Sequence, residues 1–270
     1  MTMDLNSFLP TNSMIPFFRK LRQSLITENK LSKYVLYAIG EIFLVVIGIL
    51  IALAVNNWNQ DSKDHRIGLD YLSRIHSDLV QDTINFRAII TNNTHVREEI
   101  KDALVMLYNG IETIEQVQNL SDVYDRALDQ VFNPNNNTYK GMVSSGTLGL
   151  IQNVELKEHI VGLYSEYDQK GALLAAIGQW MLTMATAEST QTDFIKFGID
   201  VSDIFTTPEM LNETDFAFMN DKNDPRFKMV VRAISATAFT QKVSNGVYVE
   251  LIDKCDTLLK QIDQELNNYN

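Results

Sequence analysis

Apolar residues recur at helical spacing along three long stretches of this 270-residue chain. In the first stretch, eleven positions from Leu72 to Leu107 follow a three-four spacing, and only Asp82 and Asn93 among them are polar. The second stretch runs from Leu156 to Met184, and the third from Phe227 to Leu266. This periodicity predicts three amphipathic helices of about 40 residues, which can bury their apolar faces only against one another.

Two shorter patterns, Ser121–Phe132 and Thr138–Ser145, predict short helices that together form a divided fourth member. Asn153 precedes the second long stretch and is predicted to cap its helix. Glycine and proline are sparse, and no strand-like alternation lasts more than a few residues. We therefore predict an all-α fold, an elongated antiparallel helical bundle of three long helices plus short helices.

A different pattern fills Tyr34–Val55, which is apolar on every side and contains one ionisable residue, Glu41. About 20 apolar residues at about 1.5 Å each cross a hydrocarbon layer of roughly 30 Å. We predict a transmembrane helix over residues 34–56. It separates a cytoplasmic segment, residues 1–33, from an exported helical domain, residues 57–270.

The charges beside this apolar segment predict its orientation. Five cations precede it, and two, Lys63 and Arg66, follow it closely. Because the more basic flank stays in the cytoplasm, we expect a single-pass protein of the cytoplasmic membrane whose C-terminal domain lies outside. Tyr34, Tyr37 and Trp58 are expected at headgroup depth, in contact with membrane lipid. The five preceding cations are Arg19, Lys20, Arg22, Lys30 and Lys33.

The cytoplasmic segment is both basic and amphipathic. Arg19, Lys20 and Arg22 flank apolar residues that recur every three or four positions, as in a helix that lies on an anionic leaflet. A basic helical flank without this lipid contact is an equal alternative.

A cleaved signal peptide is the alternative to the transmembrane helix, because Ala52-Leu53-Ala54 has the small-x-small form of a cleavage site. Cleavage there would make a leader much longer than the usual length of about 15 to 30 residues. We therefore favour the retained anchor.

The net charge of the exported domain limits the partners that it can bind. The chain carries 23 Lys plus Arg and 34 Asp plus Glu, of which five and three lie in residues 1–60, so residues 61–270 have a net charge of −13. Such a domain repels the phosphates of nucleic acid, which we exclude as a partner. Cys255 is the single cysteine, so no intrachain disulfide stabilises the domain.

Glu41 is the most informative polar residue, because a carboxylate inside lipid is costly unless it is protonated or paired. On a helix it shares a face with Gly48 and Ala52, a small-xxx-small pair that permits close approach of a second helix. One interpretation is that Glu41 hydrogen-bonds across a helix pair, within a homo-oligomer or with another membrane protein. The other is that Glu41 reaches toward the cytoplasmic headgroups beside incidental small residues.

No motif predicts catalysis, a bound cofactor or a metal site. Residues 144–149 lack the Gly-Lys-Ser/Thr of a phosphate loop and follow no predicted strand, so a structural corner is favoured. His95 and His159 have acidic neighbours, but a metal site in a helical bundle needs several Glu and His on facing helices.

Four polar residues interrupt the apolar faces of the long helices. Such residues either fix the register of the helices or line a small-molecule cavity, and register is the favoured interpretation. Tyr164, Tyr167 and Trp180 are expected to pack rather than to cage a ligand. The four interrupting residues are Asp82, Asn93, Gln241 and Asn245.

Two blocks of the chain resemble an uncharacterised family of bacterial single-span membrane proteins, a domain of unknown function. The first, LITENKLSKYVLYAIGEIFLVVIGILIALAVNNWN, spans residues 25–59 and shares Glu-Asn-Lys, Gly-Glu and Asn-Asn-Trp-Asn with the family. The second, TYKGMVSSGTLGLIQNVELKEHIVGLYSEYD, spans residues 138–168 and is similar to the family's second motif. Family members begin near Met14, so residues 1–13 are expected to be an extension or a start-site error. The resemblance implies a bacterial envelope location and a helical exported domain, and it implies no activity.

We expect a non-enzymatic envelope protein whose acidic helical domain binds another protein or assembles with itself, with the span contributing through Glu41. The alternative is a ligand-sensing periplasmic bundle that signals through a partner protein. An enzyme ranks third, because nothing beyond ordinary composition supports one.

Overall fold

A computed structural model describes residues 31–128, 132–192, 194–198, 204–205, 207 and 210–268. These residues form helices and no strand, which confirms the all-α prediction. The basic residues Arg19, Lys20 and Arg22 lie outside the described ranges. Within these ranges, the α-helices are α1 (Leu31–Asn109), α2 (Ile114–Leu128), α3 (Asn137–Ser145), α4 (Val154–Thr192) and α5 (Pro225–Asn267). Short 3₁₀ helices occur at Thr147–Leu150, Phe194–Phe197, Glu213–Asp215 and Ala217–Asn220.

Helix α2 begins seven residues earlier than its apolar pattern predicted. The cause is a reciprocal cap: the Gln116 backbone N–H donates to the Thr113 hydroxyl over 3.3 Å, and the Thr113 N–H donates to the Gln116 side chain over 3.2 Å. This Thr-x-x-Gln arrangement satisfies backbone donors that a new helix leaves open, so the helix begins there.

The chain divides into two compact units, Met1–Asp64 and His65–Asn270. In the first unit, the described residues belong to α1. In the second, α1, α4 and α5 contribute to a shared core, and the α1 positions predicted from Leu72 to Leu107 are buried with the exception of the partly buried Ile89. The predicted periodicity therefore identified the packed face of α1.

Two apolar clusters make up this core. One joins residues 72–86 of α1 to the first half of α4 and the second half of α5. The other joins residues 96–107 of α1 to α2 and to the start of α5. Burying one Val, Leu, Ile, Phe or Met side chain completely stabilises a fold by about 1.5–3 kcal/mol, before the entropy cost of ordering the chain is subtracted.

Helix α5 runs antiparallel to α1 and to α4. Along α1, Arg87 contacts Asp256 and the later residue Asn93 contacts the earlier residue Asn245, over 2.9 and 2.8 Å. Along α4, His159 lies 2.9 Å from Gln261, while Lys170 lies 2.6 Å from Glu250. Later residues of α1 and α4 contact earlier residues of α5, so α5 runs in the opposite direction to both helices at these contacts.

Two helix caps and one close helix–turn contact are explained by the residue types at those positions. Asn153 accepts the Leu156 N–H over 3.1 Å, so the predicted cap of α4 is present. Asp224 accepts the Arg226 N–H over 2.8 Å and caps α5. At Gly68, a Cβ would overlap the carbonyl oxygen of Leu150, so only glycine lets α1 pass this close to the turn before α4.

Candidate functional site

The first candidate site is the apolar part of α1. Its side chains from Val35 to Val55 are exposed on nearly every side, and the most apolar 18-residue window contains no buried residue. Among the described residues, α1 is the one helix long and apolar enough to cross a membrane. Length and composition carry this assignment, and a signal sequence meets the same criteria.

The three residues predicted to pair in the membrane share one side of α1. Glu41, Gly48 and Ala52 are separated by seven and four residues, and all three are exposed. A Cβ built on Gly48 meets no atom within 4 Å, so the helix surface is open there. The pairing of these residues with a second helix stays a prediction.

The aromatic residues predicted at headgroup depth differ in exposure. Trp58 is 72% exposed, and Tyr37 is partly buried. The backbone of Tyr34 lies within α1, while its side chain is outside the described set. An exposed indole just beyond an apolar helical stretch is typical of a residue that settles at a membrane interface.

The second candidate site is a polar cluster inside the core, centred on Asp82. Its carboxylate is fully buried and accepts the Tyr167 hydroxyl over 2.9 Å. It also accepts the backbone N–H and the side-chain amide of Asn135, each over 2.8 Å. The Tyr167 hydroxyl lies 3.0 Å from the Cys255 sulfur. The cluster therefore connects α1, α4, α5 and the segment before α3.

Aromatic rings enclose this cluster. Phe86 lies 6.0 Å from Phe132, 6.0 Å from Tyr167 and 5.2 Å from Tyr248, measured between ring centroids. Offset and edge-to-face pairs at these distances add about 0.5–1.5 kcal/mol each beyond burial. The rings exclude water from the polar atoms of the cluster. This burial shifts the pKa values of its ionisable groups.

Burial raises the pKa of the Asp82 carboxyl above its ordinary value, although the donors Asn135 and Tyr167 oppose this shift and the nearby Asp78 adds to it. Burial likewise raises the pKa of the Cys255 thiol to about 12 and raises the pKa of the Tyr167 phenol. A thiol and a phenol held in these neutral forms do not act as nucleophiles at neutral pH. The hydrogen bonds of Asp82 to Tyr167 and Asn135 join α1 to α4 and to the segment before α3, which is the contact that the register interpretation of Asp82 requires.

A second polar contact lies further along α1. The Asn93 amide donates to the Asn245 side-chain oxygen over 2.8 Å, so two of the predicted polar interruptions face each other across α1 and α5. Gln241 is buried within the same face of α5. A paired amide favours one axial position of a helix against its neighbour, because sliding would break the hydrogen bond of the buried Asn93 side chain.

The other candidate residues have local roles. The Ser145 hydroxyl donates to the Gly141 carbonyl, and Gly146 has a φ of +71°, so this segment is a corner between helices. His95 lies 3.3 Å from Glu99 on the same helix. In the described part of the chain, no three His, Cys, Asp or Glu residues are grouped as metal ligands. Tyr164 and Tyr167 are buried, whereas Trp180 is 44% exposed.

The sequence did not predict the contacts between α4 and α5. Lys170 pairs with Glu250, and Lys254 contacts both Glu166 and Glu250. Each partner looks like an ordinary surface charge in its own helix, so only the relative position of the two helices could have revealed the pairs. Beside them lies an open groove with Leu163 and Leu258 among its lining residues.

Over the residues that the structure describes, these features define a class of protein, which is all-helical and has one candidate membrane helix and a packed helical unit. Residues 41–216 match the model of a family of unknown function, DUF6090, and the chain belongs to that family. The matched region contains Glu41, Asp82, Tyr167 and all of α4, and it ends before α5, which supplies Cys255. No curated protein and no solved structure matches the chain.

Proposed function

We propose that this chain is a single-pass, non-enzymatic protein of the bacterial cytoplasmic membrane that mediates protein–protein interaction or self-assembly in the cell envelope. Residues 34–56 span the membrane, residues 1–33 lie in the cytoplasm, and residues 57–270 form an elongated antiparallel helical bundle outside it. The bundle gives the chain an acidic, folded domain at the membrane surface, and the span gives it a second contact surface within lipid.

One observation carries this proposal: the apolar part of α1 has no buried residue in its most apolar window. Leaving some 20 apolar side chains in water would cost far more than a domain's net stability, at about 25 cal/mol for each Å² exposed. Lipid, or a second helix within lipid, removes that cost. The Lys and Arg excess before the span supports the cytoplasmic placement of its basic end.

The partner contact within lipid involves Glu41, Gly48 and Ala52. A carboxyl group in hydrocarbon favours any arrangement that hydrogen-bonds it, and the neighbouring small residues allow another helix to come within reach. A second copy of this span, or the span of another envelope protein, meets both requirements. Membrane lipid covers the remaining sides of the helix.

Photocrosslinking in the membrane tests this contact. We place a photoreactive amino acid at position 48, and a matched probe at Leu50, which lies on the opposite side of the helix. The expected result is a discrete protein adduct from position 48 that weakens at least several-fold in Glu41→Ala, with only lipid adducts from position 50. Equal protein labelling from both positions, or none from position 48, would contradict the proposal.

A ligand-sensing bundle is the second candidate function, and the groove between α4 and α5 supports it. Apolar Leu163 and Leu258 lie among the charged and polar side chains of Glu166, Lys254 and His159 along this groove. A small amphipathic molecule would find both kinds of contact there. Thermal melting of the full chain against a metabolite library tests this function, and a rise of several degrees with one compound would favour it.

A further inference from the structure

The buried face of α5 changes from apolar to polar in the middle of the helix. Between residues 235 and 246, every buried side chain of α5 other than Ala236 is polar. This stretch separates the two apolar clusters of the core, whose buried members on α5 end at residue 234 and begin again at residue 247. We call the buried polar residues at this level the polar layer. It consists of Asn93 of α1 and of Thr237, Thr240, Gln241 and Ser244 of α5.

Helix α1 is hydrogen-bonded to α5 at the polar layer. The Asn93 amide donates to the Asn245 side-chain oxygen over 2.8 Å, and the Arg97 guanidinium donates to the Ala238 backbone carbonyl. The hydroxyls of Thr237 and Thr240 donate to backbone carbonyls of α5 itself, over 2.7 and 2.8 Å. These bonds therefore hold α1 against α5, and none of them involves α4.

Helix α4 passes the polar layer without a hydrogen bond to it. Lys170 pairs with Glu250 over 2.6 Å, and the Trp180 ring meets Phe239 edge to face at 6.2 Å. Residues 170–180 of α4 therefore lie along residues 239–250 of α5. From residue 171 to residue 185, no side chain hydrogen-bonds to another element within the part of the chain that the structure describes. The Thr183 hydroxyl donates to a carbonyl of α4 itself.

The second half of α4 is also poorly buried. Over residues 168–185, which the structure describes throughout, Met181 is the one buried side chain. Gly178 weakens this segment further, because a Cβ built on it meets no atom within 4 Å and glycine lowers helix stability relative to alanine. A helical segment of about 15 residues is marginal in water unless packing supports it. The first half of α4, by contrast, buries Leu156, Ile160, Leu163, Tyr164 and Tyr167.

We infer that residues 171–185 of α4 form a locally unfolding segment, which opens over the polar layer while the first half of α4 and the pair of α1 and α5 stay folded. Local opening of this kind occurs in segments that bury few apolar side chains, at a free energy below that of global unfolding. The open form offers a partner the hydroxyl and amide groups of α5 that the closed form hides. This inference goes beyond the proposed function, and it requires neither membrane anchoring nor self-assembly.

Hydrogen exchange of the full chain in detergent, measured by mass spectrometry of its peptides, tests the opening. We expect the backbone amides of residues 171–185 to exchange about 100-fold faster than those of residues 156–167. Met181→Ala removes the one buried side chain of the segment, so it should speed exchange of residues 171–185 about ten-fold and leave residues 156–167 unchanged. Leu182→Ala, at a 56% exposed position, is the matched control and should change exchange less than about two-fold.

A glycine pair separates unfolding of the segment from a movement of an intact helix. Gly178→Ala stabilises the helical form without a new contact, so it should slow exchange of residues 171–185 about four-fold. Gly162→Ala, also at an open position but in the first half of α4, should leave exchange of residues 171–185 unchanged.

A thiol in the polar layer reports its exposure. In Ser244→Cys, the introduced thiol takes a position that is 1% exposed, and the native Cys255 in the neighbouring apolar cluster is fully buried. We expect maleimide to label position 244 about ten-fold faster when Met181→Ala is added, because labelling proceeds through the open form. Labelling of Cys255 should stay unchanged.

Four results would overturn the inference. They are equal exchange in the two halves of α4, an effect of Met181→Ala that is as large in residues 156–167 as in residues 171–185, exchange that Gly178→Ala does not slow, and labelling of position 244 that does not respond to Met181→Ala. Each of these results would leave the proposed membrane anchoring and assembly in place, because crosslinking from position 48 tests those separately.

Discussion

At the scale of the residue, Asp82 shows how one polar side chain can organise an apolar core. Its carboxylate collects donors from Tyr167 and Asn135, which lie 85 and 53 residues away in the chain. The sequence showed that Asp82 interrupts an apolar face, and it allowed two interpretations: that Asp82 fixes the register of the helices or that it lines a small-molecule cavity. Its partners were not visible in the sequence, because they are set by the packing of separate helices rather than by local spacing.

The raised pKa of Asp82 gives a signed prediction for stability. A carboxyl whose pKa is higher in the folded state stabilises the fold fully below its ordinary pKa near 4, and this contribution is lost as the pH rises through the raised value. We expect Asp82→Asn to gain stability relative to wild type between pH 4 and pH 7, as measured by urea unfolding of the full chain in detergent. Asp253→Asn, at an exposed position, should show no such gain. A constant difference between Asp82→Asn and wild type at the two pH values would refute this.

Cys255 provides a second prediction at this scale. Its thiol is fully buried and burial raises its pKa to about 12, so almost no thiolate exists at pH 8. We expect maleimide labelling of the native chain to be at least 100-fold slower than that of the urea-unfolded chain, followed by mass spectrometry. Rapid labelling of the native chain would mean that the Asp82 cluster opens to solvent.

At the scale of the element, the sequence predicted which helices form and which faces they bury. The spacing from Leu72 to Leu107 matches the buried face of α1, and Asn153 caps α4 as expected. The start of α2 was placed too late, because the Thr113 and Gln116 cap lies upstream of the apolar positions that marked the helix. Capping chemistry therefore defined a boundary that hydrophobic periodicity missed.

Two glycines make a matched test of helix packing. Gly68→Ala would place a methyl group against the backbone carbonyl of Leu150, which cannot move without shifting the turn before α4. Gly162→Ala adds the same methyl group to α4 in open space. We expect the first change to lower the free energy of unfolding by about 1–3 kcal/mol, and the second to raise it by about 0.5–1 kcal/mol.

Denaturant unfolding of both variants in one detergent measures this difference. Because both changes are glycine to alanine within a helix, the gain in helix propensity cancels and the contact with Leu150 remains. Equal effects of the two substitutions would show that α1 and the Thr147–Leu150 turn are not in close contact.

At the scale of the whole molecule, the membrane anchor was predicted mainly from the sequence. The apolar stretch and the basic flank predict the anchor and its direction, whereas the structure contributes the exposure of that stretch. Membership of DUF6090 adds a family and leaves its function open.

The most direct test of the account is the intact mass of the protein recovered from alkali-washed membranes of cells that express the full chain with a C-terminal tag. We predict that the tagged protein stays in the washed membrane pellet and retains residues 34–56 in its measured mass. A tagged species that begins at Val55 and leaves the membrane in the wash would contradict both the anchor and the role of Glu41 within the membrane.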